Sequence, residues 1–207
     1  MRYPYATISV AALCGLVFLL QQFWYHQVFS SLALVSSEVW SRPWTLISYT
    51  LVHADILHLG YNMFALLLFG SILESVIGSR KFLVIYLLSG LAAGIAGVFL
   101  YTATVGASGA VFGVMGCLAL LRPRLVVWVM GAPMPMIIGA AVWILIDFIG
   151  IIAPDNVAHE AHLFGIGVGI IAGLLLHGKY AEPFRRKRPP KRPTDREMDE
   201  WEERFMK

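Results

Sequence analysis

Six long apolar runs, almost free of charge, decide what this chain can fold into. They fall at about 5–25, 56–77, 82–102, 108–121, 134–153 and 160–177. A bilayer's hydrocarbon core of ~30 Å calls for roughly 20 consecutive apolar residues of helix, and most of these runs meet that length. Hydrophobic residues make up 58% of the 207-residue chain and charged ones 14%, against roughly 25% charged in an ordinary soluble domain. A soluble protein is therefore excluded, and the expected fold is all-α: a polytopic six-helix membrane bundle with no significant β-sheet. The first run lacks a small-residue cleavage site and is read as a span rather than a removed signal peptide. The fourth is short for a bilayer. A helix that begins below the surface explains it, reached by an irregular loop that is tolerated only where it is buried in protein or wet. That loop carries Ser108.

The connections add orientation. Between the first two runs lie Gln27 to Asp55, with Trp40, Pro43 and Trp44 among them, too long and aromatic for a plain turn and expected to form an ordered interfacial segment. Placing the N-terminus inside puts Arg80, Lys81, Arg122, Arg124 and the basic tail on the cytoplasmic side and leaves Arg42 outside. Residues 1–178 then form the membrane domain and 179–207 a cytoplasmic tail. In that tail Arg185-Arg186-Lys187-Arg188 and Lys191-Arg192 sit beside a span, so anionic lipid headgroups, not nucleic acid, are the partner of the basic charge. The final stretch, Asp195 to Phe205, fits a short amphipathic helix and a frayed solvated tail equally. Cys14 and Cys117 both lie inside apolar runs, which offers neither a disulfide framework nor a thiolate metal site. No domain-scale repeat is apparent, against an inverted-repeat transporter.

Three clusters carry chemistry. Gly106-Ala107-Ser108-Gly109 opens the fourth run, with Gly113 and Gly116 beyond it. Such stripes of small residues commonly just let membrane helices approach closely, but glycines beside a serine also admit a substrate carbonyl. His162, in Ala161-His162-Leu163-Phe164-Gly165, by itself fits an interhelical hydrogen bond or a proton path as well as catalysis. Gly165 and Gly169 share its helical face, so that face can lie tight against the Ser108 helix. His58 and Asn62, four apart on the second run, both offer hydrogen-bond donors of the kind a developing oxyanion needs. His53 lies in the entering loop and fits a structural role. A zinc site from His53, His58 and Asn62 lacks a carboxylate in register, and no metal or cofactor is expected. Glu74 is read as pairing with backbone or with Arg80 and Lys81. Asp147, inside the fifth run, fits either a third catalytic acid or a hydrogen bond between helices.

Taken together, His58-xxx-Asn62, Gly106-x-Ser108-Gly109 and His162-xx-Gly165 with Gly169 resemble the motifs of the rhomboid family of intramembrane serine proteases, in the family's order, over roughly residues 5–178. The resemblance implies a Ser108–His162 dyad that needs no third acid, with His58, Asn62 and the Ser108 backbone N–H forming an oxyanion hole. Gly106, Gly109, Phe112 and Gly165 would support it. Phe112 stands where relatives often carry a tyrosine packed on the catalytic imidazole, keeping the ring without the hydroxyl. The family's common Trp-Arg pair is here Trp44-Thr45, with Arg42 upstream. Implied substrates are transmembrane segments of other membrane proteins, entering near the outer leaflet in the plasma membrane, with the fifth helix and Ala153-Pro154-Asp155-Asn156 as the gate. A non-enzymatic relative would usually lack Ser108 or His162. A transporter would lose flux, not cleavage, when His162 is changed.

Overall fold

In a computed structural model, residues 3–129, 131–153, 157–181 and 195–206 are described. Pro154, Asp155 and Asn156 of the expected gate, and the basic run from Arg185 to Arg192, lie outside them.

Helix α1, Tyr5–Phe23, starts after Pro4, which supplies no side-chain cap. Its orphan N–H groups need an acceptor, and Glu74 provides one from another helix. Its carboxylate takes bonds from the Ala6 N–H (3.0 Å), the Thr7 N–H (2.8 Å) and hydroxyl (2.6 Å), and the Ser79 hydroxyl (2.6 Å). Glu74 thus pairs with backbone, as one sequence alternative held, and its other partners are hydroxyls; Lys81 instead sits over the Tyr180 ring.

The segment after α1 is ordered: α2 (Tyr25–Leu32), β1 (Leu34–Val35), a 3-10 turn at Ser36–Glu38, α3 (Thr45–Ser48) and a second 3-10 turn at Tyr49–Leu51. Trp44 donates its indole N–H to the Ser31 carbonyl at 2.9 Å, Ser48 its hydroxyl to Leu32 at 2.9 Å, and Tyr49 its hydroxyl to Gly90 at 2.8 Å. Arg42 is committed to an ion pair with Glu38, one turn away.

The next span, Ile56–Ile77, consists of α4 (Ile56–Ala65), a π-helical stretch at Leu66–Gly70 and α5 (Ser71–Ile77). Asp55 caps it by accepting the His58 N–H at 2.8 Å, as expected of an acidic N-cap. There follow α6 (Ser79–Leu100), β2 (Ala103–Thr104), α7 (Ser108–Leu121), β3 (Val126–Val129), β4 (Ala132–Pro135), α8 (Met136–Ile152), α9 (His159–Tyr180) and α10 (Asp195–Phe205). The last of these is helical, with Met198, Trp201 and Phe205 exposed.

The architecture is mostly helical, with two small antiparallel sheets among the described residues: β1 pairs with β2, and β3 with β4 in a hairpin. The hairpin was not expected from the sequence. Among the described residues, four helices, spanning Tyr5–Phe23, Ile56–Ile77, Ser79–Leu100 and His159–Tyr180, are long and apolar enough to cross a membrane, while α7 and α8 are shorter. Helix α7, the shorter of the two, is wrapped in protein. Ala110, Val114, Cys117, Leu118 and Leu121 are all fully buried in the main apolar core.

Against α7, helix α9 packs backbone to backbone. A Cβ on Gly165 would lie 2.0 Å from the Gly109 carbonyl oxygen, and one on Gly169 would lie 1.9 Å from that of Gly113. Nothing but glycine fits such a contact. It is the small-residue mode by which helices associate in lipid, where burial from water supplies no drive. This contact carries His162 up to Ser108.

Candidate active site

The turn into α7 is made by Gly106, whose φ of +109° suits only glycine. Its N–H bonds to the Tyr49 carbonyl at 3.0 Å, fixing the turn to the interfacial segment. Ser108 is then the first residue of α7. At this position its backbone N–H has no acceptor within the helix, and the positive end of the helix dipole lies beside it.

From α9, His162 approaches as a buried residue, 8% exposed. Its Nε2 lies 2.8 Å from the Ser108 hydroxyl oxygen, and its Nδ1 lies 3.0 Å from Oδ1 of Asp147 on α8. The same Oδ1 is 2.7 Å from Nδ1 of His159. Phe112, one turn into α7, stacks on the His162 ring with centroids 4.3 Å apart and planes 14° from parallel, and Trp143 of α8 meets Phe112 edge-on at 6.1 Å. A hydroxyl oxygen, a carboxylate oxygen and an aromatic ring thus hold His162.

His58 arrives from α4. A Cβ on Gly106 would sit 2.7 Å from its Nε2, so that glycine is required by close approach as well as by its backbone angle. The His58 Nδ1 accepts the Ala54 N–H at 3.4 Å, which leaves Nε2 to carry the ring hydrogen toward the stretch next to Ser108. Asn62 donates to the His58 carbonyl at 2.9 Å, spending one of its two N–H bonds in its own helix.

Behind His58 stands His53, fully buried and edge-on to it at 5.2 Å. Burial, and secondarily the neighbouring His58, push its pKa down to about 4, so the ring is neutral at physiological pH. Gln21 clasps its backbone on both sides, donating to the His53 carbonyl at 3.0 Å and accepting its N–H at 3.2 Å. That is a structural position.

Asp147, His159 and His162 bring three ligand atoms within 4.8 Å of one another. Their contacts of 2.7 and 3.0 Å have hydrogen-bond lengths, tighter than the ~3.3 Å that separates ligands around a tetrahedral zinc with bonds of about 2.0–2.1 Å. The sequence reading left Asp147 open between an acid and a helix tie and did not link it to His159. The signal was there: an acid alone in an apolar run, and two histidines three apart on one helical face.

The model of the rhomboid domain matches residues 40–179. The chain is 30% identical to the rhomboid protease GlpG of Haemophilus influenzae over 172 residues, covering 82% of this chain and 89% of that one. It is 32% identical to the rhomboid protease GluP of Bacillus subtilis over 159 residues, 75% of this chain and 30% of that one. To the rhomboid protease GlpG of Pectobacterium atrosepticum it is 30% identical over 167 residues, 80% of this chain and 60% of that one. With that match across most of its length and apolar helices able to cross a bilayer, the chain belongs to the rhomboid family and is a multi-pass intramembrane serine protease.

Proposed function

We propose that Ser108 and His162 form the catalytic dyad and cleave transmembrane segments of other membrane proteins. The observation that carries this reading is the 2.8 Å contact between the Ser108 hydroxyl oxygen and His162 Nε2, the reach a general base needs. Ser108 attacks the scissile carbonyl while its proton passes to Nε2. The resulting imidazolium then returns that proton to the leaving amine, and water releases the acyl group by the same route. The Ser108 N–H, His58 and Asn62 hold the oxyanion. Gly106, Gly109 and Gly165 keep backbones close enough for this to happen, and Phe112 fixes the imidazole plane.

Six crossings, counting the shorter α7 and α8, accommodate the site with both termini in the cytoplasm of a cell with this protein in its plasma membrane. Residues 1–178 are the protease domain and 179–207 a tail whose basic run meets anionic headgroups. Ser108 is half-buried, which suits a water-fed site near the outer leaflet. A substrate helix must unwind locally to expose its peptide bond, and it enters past α8.

Replacing Ser108 with alanine in the purified, detergent-solubilised protein tests this reading. Cleavage of a transmembrane substrate and labelling by a fluorophosphonate should both vanish; cleavage that persists overturns it.

A further inference from the structure

A buried carboxylate shared between two imidazoles is costly unless it does something those imidazoles require. Asp147 is 2% exposed, and its Oδ2 has no hydrogen-bond partner among the described residues. Its Oδ1 takes both Nδ1 atoms, of His159 at 2.7 Å and of His162 at 3.0 Å. A half-satisfied carboxylate at membrane depth is poor as a stabiliser, because desolvation of the charge outweighs what the pairing returns. As a fixed negative charge behind an imidazole it has a direct use.

We infer that Asp147 is a positioning residue of the proposed dyad: its carboxylate, braced by His159, holds His162 with Nδ1–H inward and Nε2 toward Ser108, and stabilises the imidazolium formed when Nε2 takes the serine proton. The inference rests on the dyad reading and goes beyond it. A neutral imidazole has one N–H, and a base needs it on the side away from the serine. An acceptor at Nδ1 selects that tautomer. When the hydroxyl proton moves from Ser108 Oγ to Nε2, the ring becomes positive with both nitrogens protonated, and the carboxylate stays unprotonated as its counter-charge.

The surroundings are built for this. Gly150, one turn beyond Asp147 on α8, leaves the room in which the His159 ring lies; a Cβ there would come 2.1 Å from His159 Nε2. His159 and His162 are three apart on α9, so both rings face the same carboxylate. His159 Nδ1 lies 2.7 Å from the same Oδ1, a second contact that restrains the carboxylate facing His162.

The test uses the full-length protein in detergent with a transmembrane substrate, comparing Asp147→Asn, His159→Gln, Ser108→Ala and His162→Ala. Asp147→Asn should lower kcat by on the order of 10²–10⁴ with KM within about threefold of the parent, the pattern expected when only the transition state loses stabilisation. His159→Gln should lower kcat by roughly tenfold, a loss through a bracing group and not through the base. In ¹⁵N-histidine-labelled parent protein, His162 should carry its proton on Nδ1, and that resonance should be lost or moved in Asp147→Asn. This spectrum tests the inference even where a variant fails to fold. An Nε2–H tautomer in the parent, or Asp147→Asn with kcat near the parent's while Ser108→Ala and His162→Ala are dead, overturns this inference and leaves the dyad standing. Cleavage by Ser108→Ala or His162→Ala sinks both.

Discussion

Glu74 and Asp147 are both sunk among apolar helices, 0% and 2% exposed, yet their oxygens are occupied in opposite ways. Glu74 receives four bonds, two on each oxygen, from the start of α1 and from Ser79. Asp147 concentrates two imidazoles on one oxygen and leaves the other without a partner among the described residues. Full satisfaction is what a structural carboxylate in lipid requires, because each unmet polar group costs several kcal/mol there. Partial satisfaction, with titratable rings as the donors, is the pattern that supports the positioning role proposed for Asp147.

The strongest way to break this contrast is to remove Glu74. Glu74→Ala strips the acceptor from two backbone N–H groups and two hydroxyls at once, so unfolding stability should fall by about 3–5 kcal/mol. Turnover per folded molecule should be kept. Equilibrium unfolding in mild detergent, with active sites counted by fluorophosphonate labelling, separates the two. If Glu74→Ala proves stable but slow, the distinction between the carboxylates collapses.

Next in size are the donors near the proposed nucleophile. His58→Ala should cost about 2.7–4 kcal/mol of transition-state stabilisation, read as a loss in kcat/KM. Its effect on stability should be small, because the ring is only partly buried and Asp55 still caps the Ile56 helix through the residue-58 N–H. Asn62→Ala should lose less rate, since one of its N–H bonds is already spent on the His58 carbonyl. A larger loss for Asn62 than for His58 would invert the proposed division of labour.

Much of this was legible in the sequence, and the boundary has a physical cause. Apolar runs report helices locally, so the spans near 56–77 and 108–121 coincide with the observed helices. The glycines on the faces of Ser108 and His162 announced a close packing that occurs, at Gly109 against Gly165. Partner choice is different, because it depends on which helices become neighbours. Glu74 meets donors 67 and 68 positions upstream, beyond any local pattern. Asp147 and His162 are 15 apart across a loop, and only the docking of α8 on α9 selects that contact over the alternatives. The β3–β4 hairpin falls mostly between the fourth and fifth apolar runs; Val126–Val129 is apolar at every position, so the alternation of exposed and buried residues along that strand arises only in the fold.

His53 provides a third kind of buried group, neither fully satisfied nor aimed at the serine, and sharpens the contrast through pH. Its Nε2 has no hydrogen-bond partner among the described residues, and its pKa is pushed down to about 4 by burial and then by His58. The unfolded chain, with an ordinary histidine pKa of ~6.5, binds the proton first as pH falls. Stability contributed by neutral His53 is therefore fully present above pH ~6.5 and is lost progressively toward pH ~4, by roughly 3 kcal/mol in all. His53→Leu should flatten that slope in unfolding measured between pH 7 and 4. A parent protein whose stability rises on acidification over this window would refute the assignment.

The smallest effect belongs to the ring that ties the site together. Phe112 lies flat on His162 and edge-on to Trp143, so it transmits the packing of α8 to the imidazole without a polar contact. Aromatic pairs of this sort are worth about 0.5–1.5 kcal/mol beyond the area they bury. Phe112→Leu, which keeps apolar bulk and removes the stacked face, should therefore slow turnover by about 2- to 12-fold, well short of the loss expected at Asp147. Phe112→Tyr keeps the face and should stay within about twofold of the parent, because stacking and not a hydroxyl holds the ring here. If Phe112→Leu matched Asp147→Asn in severity, steric confinement rather than the carboxylate would be what orients His162, and the difference between the two buried acids would have to be sought in stability alone.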